Sequence, residues 1–204
     1  MSNIKDLANK IYAPFKVVYD KSYEYIFYYF TDYFENDEKI KIDRLYERIS
    51  TYRQIISFFD QPTYILDNIW LGNARNAASF YDLRNKNIKL IINFINEISN
   101  YYPHEFNYLK YNINENNKDE IIDFLNDSYK KIIEFRKNNK DAHILIHCFM
   151  GASRSASILL YYIIKTLKNE DNSPYSLHQA INFLKEKREI INPSEKFILD
   201  LQNA

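Results

Sequence analysis

The chain has 204 residues, 46% of them apolar, and its 27 basic and 27 acidic side chains leave a formal net charge of zero. That length can bury a sizeable core, as one domain with an extension or as one larger domain. The balanced charge argues against nucleic acid or an anionic membrane as the main partner, no apolar run could span a bilayer, and one cysteine excludes a disulfide framework.

The opening residues Met1 to Lys10 lack the apolar core of a signal peptide, and Ser2 excludes N-myristoylation. The expected compartment is cytoplasmic, or another reducing intracellular one. Residues 1–60 read as an aromatic-rich, helical extension. Tyr23 to Phe30 is almost wholly aromatic, and a charged break follows at Glu35 to Lys41. Ile42, Leu45, Ile49, Tyr52, Ile56 and Phe59 then recur at helical spacing. The apolar face of that helix is expected to pack on the following domain or, as the alternative, to make a homodimer contact through residues 1–60.

From residue 61 to 204 the pattern is that of a second domain, in which strands alternate with helices. Tyr64 to Leu66 and Ile69 to Leu71 form a hairpin about Asp67 and Asn68. Asn73 caps a helix from Ala74 to Arg84. Strands are expected at Lys89 to Phe94, Tyr108 to Ile113 and His143 to Ile146. Helices are expected over 121–137 and 154–167, the second with Ile158, Leu159, Tyr162 and Ile163 inside. Capping boxes, Ser176 with Gln179 and Asn192 with Glu195, mark two more. The fold class is therefore α/β: a central, mostly parallel sheet flanked by helices on both faces, with an N-terminal helical extension. There is no internal repeat.

Between the strand at 143–146 and the helix at 154–167 lies Ile146-His147-Cys148-Phe149-Met150-Gly151-Ala152-Ser153-Arg154-Ser155. It holds the only cysteine and one of only two glycines. A strand-to-helix junction is where an α/β sheet puts its ligand crevice, and a helix N-terminus offers unpaired N–H groups to an anion. The loop from Phe149 through Arg154 can curl until its amides converge, with Gly151 at the tightest point and Arg154 gripping two phosphate oxygens. Those surroundings stabilise a thiolate on Cys148, which makes it a nucleophile for phosphorus. Ser155 can donate its hydroxyl proton to that sulfur as it leaves. A lone cysteine at a strand end would otherwise read as a small buried hydrophobe.

His147, Cys148, Gly151 and Arg154 spell HCxxGxxR, and the run "HCFMGASRSASILLYYII" resembles the dual-specificity branch of the cysteine-dependent protein phosphatases. "NIWLGNARNAASFYDLRNKNIKLIINFINEI" and "LHQAINFLKEKREIINPSEKFILDLQ" are similar to the opening and closing segments of that catalytic domain. The resemblance covers about residues 62–203. It implies hydrolysis of phosphotyrosine and phosphoserine or phosphothreonine in a phosphorylated protein, through a phosphocysteine intermediate, with no metal or other cofactor. It also implies a general acid before the helix at 121–137. Matching the strand end places Glu115 there, whereas counting back from Cys148 falls nearer Asp119, the alternative. His147 is expected to orient the cysteine through bonds to the loop backbone, and Asn192 to support the loop or to act as an ordinary helix cap. Met150 departs from the small residue common in the family. Phosphoinositide and RNA phosphatases share the loop, but neutral Phe149, Met150, Ala152 and Ser153 argue against a multiply phosphorylated lipid. A weakly catalytic phosphate-binding module is the reading from another class.

Overall fold

The computed structural model describes residues 59–96, 98–112 and 118–202. The expectations for residues 1–58 (the helical extension, its amphipathic helix and its dimer contact) lie outside these residues, as does Glu115.

The strands are β1 (Thr63–Leu66), β2 (Ile69–Gly72), β3 (Ile88–Asn93), β4 (Asn107–Lys110) and β5 (His143–His147). The helices are α1 (Ala74–Ala77), α2 (Phe80–Asn85), α3 (Lys118–Asn138), α4 (Arg154–Thr166), α5 (Leu177–Lys187) and α6 (Glu195–Gln202). One sheet runs β1-β2-β5-β3-β4, antiparallel between β1 and β2 and parallel elsewhere. The hairpin turn falls at Asp67 and Asn68, both at positive φ (51° and 60°). That is the turn whose twist matches a two-residue hairpin, and Asp and Asn tolerate it best among residues with a side chain.

β5 lies at the centre, with β2 and β3 on either side, and its residues Ile144 to His147 are all buried. Paired Ile91 and Leu145 cluster with Ala77, Leu83 and Phe106, so they face α1 and α2. Alternation along a strand then turns Ile144, Ile146, Leu90 and Ile92 to the opposite face. Helix α4 packs on β5 and also touches α3, α5 and α6. This enclosure buries every residue from Ser155 to Ile163, a wider face than the four-residue stripe expected from periodicity. The phenol of Tyr162 accepts from Arg136 (2.6 Å) and donates to Asp67 (2.9 Å), tying α4 and α3 to the hairpin.

Three details differ from the sequence expectation. The helix from Ala74 breaks in two, because Ser79 leaves helical geometry and donates its hydroxyl to Asp82 (2.7 Å). The strand expected over 108–113 ends at Lys110, after which Tyr111 stacks on Phe94 and donates to Asp127. The last helix begins at Glu195, with the Ser194 carbonyl accepting from Ile198, so Ser194 and not Asn192 takes the cap position. Among the described residues, no helix is long and apolar enough to cross a membrane.

Leu145 is fully buried at the middle of the sheet. Leu145→Ala should lower the unfolding free energy by about 2–5 kcal/mol, read from urea midpoints, because the rigid strands on both sides cannot close the cavity.

Candidate active site

Cys148 follows β5 directly, and Arg154 opens α4, so the loop between them is the strand-to-helix junction anticipated above. Its carbonyls are held one after another. Phe149 O accepts from the Ala74 N–H (3.1 Å), and Ala152 O from the Asn192 N–H (2.9 Å). Met150 O and Gly151 O accept from Nη2 and Nε of Arg188, at 3.3 and 3.2 Å. Ser153 O accepts from both the N–H and the hydroxyl of Ser157. In a trans peptide the N–H points opposite the preceding C=O, and none of these peptides is cis. Five carbonyls tied outward therefore turn the N–H groups of Met150 through Arg154 into the loop. The Gly151 N–H donates to the Cys148 Sγ at 3.2 Å.

Gly151 sits at φ +72°, and a Cβ there would lie 2.5 Å from the Gly72 carbonyl oxygen. The conformation favours glycine at this point, and the lack of space requires it. Gly72 is the chain's other glycine, and a Cβ on it would stand 2.9 Å from Leu145 Cδ1. The two glycines thus meet at the loop. Asn73 and Asn76, both buried, close a reciprocal capping box that fixes the start of α1, whose Ala74 N–H holds the loop.

Cys148 is 3% exposed. Burial alone would push its pKa up. The Ser155 hydroxyl, at 3.1 Å from Sγ, and the Ser155 backbone outweigh that together with the Arg154 charge and the Gly151 N–H, holding the thiol below its usual range. Arg154 is anchored by its Nη1, which donates to Phe94 O (3.3 Å) at the end of β3. The Ser153 hydroxyl accepts from the Ser194 N–H (3.1 Å). Phe149 and Met150 are half-buried, Ala152 buried.

The structure brings Cys148, the whole loop, Arg154 and Ser155 together. Asn192 meets the loop through its backbone N–H, and its side chain is exposed. His147 is fully buried, and the group nearest in effect to its ring is the Cys148 backbone at the start of the loop. Burial pushes the His147 pKa down to about 4, against the smaller opposing effect of a bond to the Cys148 backbone. Asp119 falls in the first turn of α3. Sequence reasoning missed Arg188, hidden in the charged run Lys185-Glu186-Lys187-Arg188-Glu189. The available signal was its spacing of four from Leu184 and eight from Ala180, the buried residues of α5.

The sequence pattern of the family described as "Dual specificity phosphatase, catalytic domain" matches residues 69–204. The chain belongs to this family. It is 31% identical over 148 residues to protein phosphatase Slingshot homolog 2 of Homo sapiens, a match covering 72% of this chain but only 10% of that much longer protein. Among solved structures, the human tyrosine phosphatase-like serine/threonine/tyrosine-interacting protein is similar at 26% identity and a TM-score of 0.59, covering 70% of this chain and 94% of its own. Human DUSP28 shares the fold at 19% identity and a TM-score of 0.59, over 69% of this chain and 93% of its own.

The neutral, buried His147 makes stability depend on pH. Its folded pKa lies below the unfolded value of 6.5, so the stability is whole above 6.5 and is lost as pH falls towards 4. By pH 4.5 this group should cost about 2 kcal/mol relative to pH 7. Urea midpoints across that range should fall less steeply in His147→Asn than in the native chain.

Proposed function

We propose that this domain hydrolyses phosphate monoesters on phosphorylated proteins, at tyrosine and at serine or threonine, through a phosphocysteine intermediate. The observation that carries the reading is the buried Cys148 sulfur, receiving donors from Gly151 and Ser155 at the focus of an inward-turned loop. The thiolate attacks phosphorus in line while the P–O bond to the substrate oxygen breaks. The loop N–H groups and Arg154 stabilise the charge spread over the three equatorial oxygens. Glu115 gives its proton to the departing oxygen, Asp119 being the alternative. The carboxylate left behind then takes a proton from water, whose oxygen attacks phosphorus. The S–P bond breaks, inorganic phosphate leaves, and Ser155 stabilises the returning thiolate. Neutral His147, held below the range in which it would accept a proton, has no part as a base.

A binding reading is favoured by one observation: a solved neighbour is described as a phosphatase-like interacting protein. Such a module would retain phosphopeptide stoichiometrically without releasing phosphate. Self-association through residues 1–60 and an intracellular, cytoplasmic setting are parts of the same proposal.

Phosphate release from an aryl phosphate and a phosphotyrosine peptide, in chelating buffer, separates the two. Steady turnover that vanishes in Cys148→Ser is the expected result, and no turnover by folded native protein would leave only the binding module.

The true general acid should reveal itself by pH. Glu115→Gln should lower kcat/KM by about 10²–10⁴-fold and remove the fall in rate on the alkaline side. The acidic side should stay in place, because it reports protonation of Cys148. If Asp119→Asn does this instead, the assignment moves to Asp119.

A further inference from the structure

Arg188 directly follows α5 and is 5% exposed. All three nitrogens of its guanidinium are engaged: Nε with Gly151 O (3.2 Å), Nη2 with Met150 O (3.3 Å) and Nη1 with Thr63 Oγ1 (3.2 Å). It therefore sits behind the loop, on the side away from the phosphate. It packs close against the loop at Gly151, where a Cβ would lie in van der Waals contact with Nη2, at 3.4 Å. Burying a cation is costly unless its donors are satisfied, so its presence on the outer wall of an anion cradle needs a reason.

We propose that Arg188 is the positioning residue of the phosphate loop, holding the Met150 and Gly151 carbonyls away from Cys148 so that the Gly151 and Ala152 N–H groups aim at the sulfur and the phosphate. The proposal rests on the phosphatase reading of this loop. The planar fork of arginine suits two neighbouring carbonyls in a way a single ammonium does not. Thr63, at the start of β1, fixes the third corner of the fork, which ties the loop's geometry to the first strand of the domain. The charge acts as well. Burial lowers the Arg188 pKa, while the charges of Asp60 and Cys148 favour its charged form. Attraction between charges is mutual, so the charge of Arg188 also favours the thiolate, from behind the loop.

Because the chain has one cysteine, alkylation by iodoacetamide reads the Cys148 thiolate alone. In Arg188→Met the alkylation rate at about pH 6 should fall about tenfold and meet the native rate at alkaline pH. The same variant should lose about tenfold to a hundredfold in kcat on an aryl phosphate, with a smaller change in KM. Arg188→Lys should restore much of the alkylation profile, which needs charge, but little of kcat, which needs the fork. Thr63→Val should shift both in the same direction, by a few-fold, through a looser guanidinium. A folded Arg188→Met protein with native alkylation and kcat would overturn the proposal. So would lost turnover with an unmoved alkylation profile, the mark of a merely structural defect. If Arg188→Met does not fold, native profiles in both Arg188→Lys and Thr63→Val overturn it equally. Should the native protein not turn over at all, the phosphatase reading fails, while alkylation still tests whether Arg188 aims the loop at the sulfur.

Discussion

The site depends on five successive carbonyls being turned outward. Peptides arranged so that their N–H ends converge set like partial charges side by side, and a short free segment would relax by rotating them toward water. Here each rotation is blocked by a donor from elsewhere in the fold: Ala74 at the start of α1, Arg188 after α5, Asn192 before α6 and Ser157 within α4. Sheet order explains how such distant donors meet. With β5 between β2 and β3, the ends of those neighbours place Gly72 and Phe94 beside the loop. The cradle is thus a product of tertiary structure, though its residues are contiguous.

Glycine usage records the same constraint. Among the described residues, the other positive-φ positions are Asp67, Asn68, Asn87 and Asn172. Asn and Asp tolerate the left-handed region where a Cβ has room. The chain's only two glycines stand where a Cβ has no room, one against Leu145 and the other against the first glycine's own carbonyl. A chain otherwise sparing with glycine keeps it where packing, more than conformation, forbids a side chain. Their joint position at the loop makes that part of the sequence easy to read.

The buried strands, the hairpin turn and α4 were legible because each carries a strong local signal: short apolar runs, an Asp-Asn pair, a glycine-bearing loop before an apolar stretch. Cys148, Gly151 and Arg154 were legible by spacing. The break at Ser79 was not, since apolar spacing continues across it while one hydroxyl-to-carboxylate bond decides the backbone. Arg188 was hidden for another reason. Composition makes a cation among lysines and glutamates look solvated, and only the buried face of α5 shows that it turns inward. Asn192 was half legible: its place beside the loop followed from the segment, but the loop takes its N–H, a group every residue except proline carries. The motif marked His147 as a partner of the loop, and its complete burial, which lowers its pKa, was not legible from the motif.

His147 and Cys148 are neighbours in one buried environment, and their charges go opposite ways. Burial disfavours the charged form of both. His147 has no partner bond strong enough to resist and stays neutral. Cys148 has the Ser155 hydroxyl, two backbone donors and a cation, which together outweigh burial and lower its pKa. These donors have a consequence for the proposed two-step reaction. A more stabilised thiolate is a weaker nucleophile and a better leaving group. When sulfur bonds to phosphorus, Gly151 and Ser155 lose the charge they were bonded to, and they regain it when the S–P bond breaks. The donors on Sγ therefore favour breakdown of the phosphocysteine at some expense to its formation, while the loop amides and Arg154 act on the phosphoryl oxygens in both steps. The loop divides the work between two sets of donors, and the outward tie of its carbonyls is what keeps both sets pointed inward.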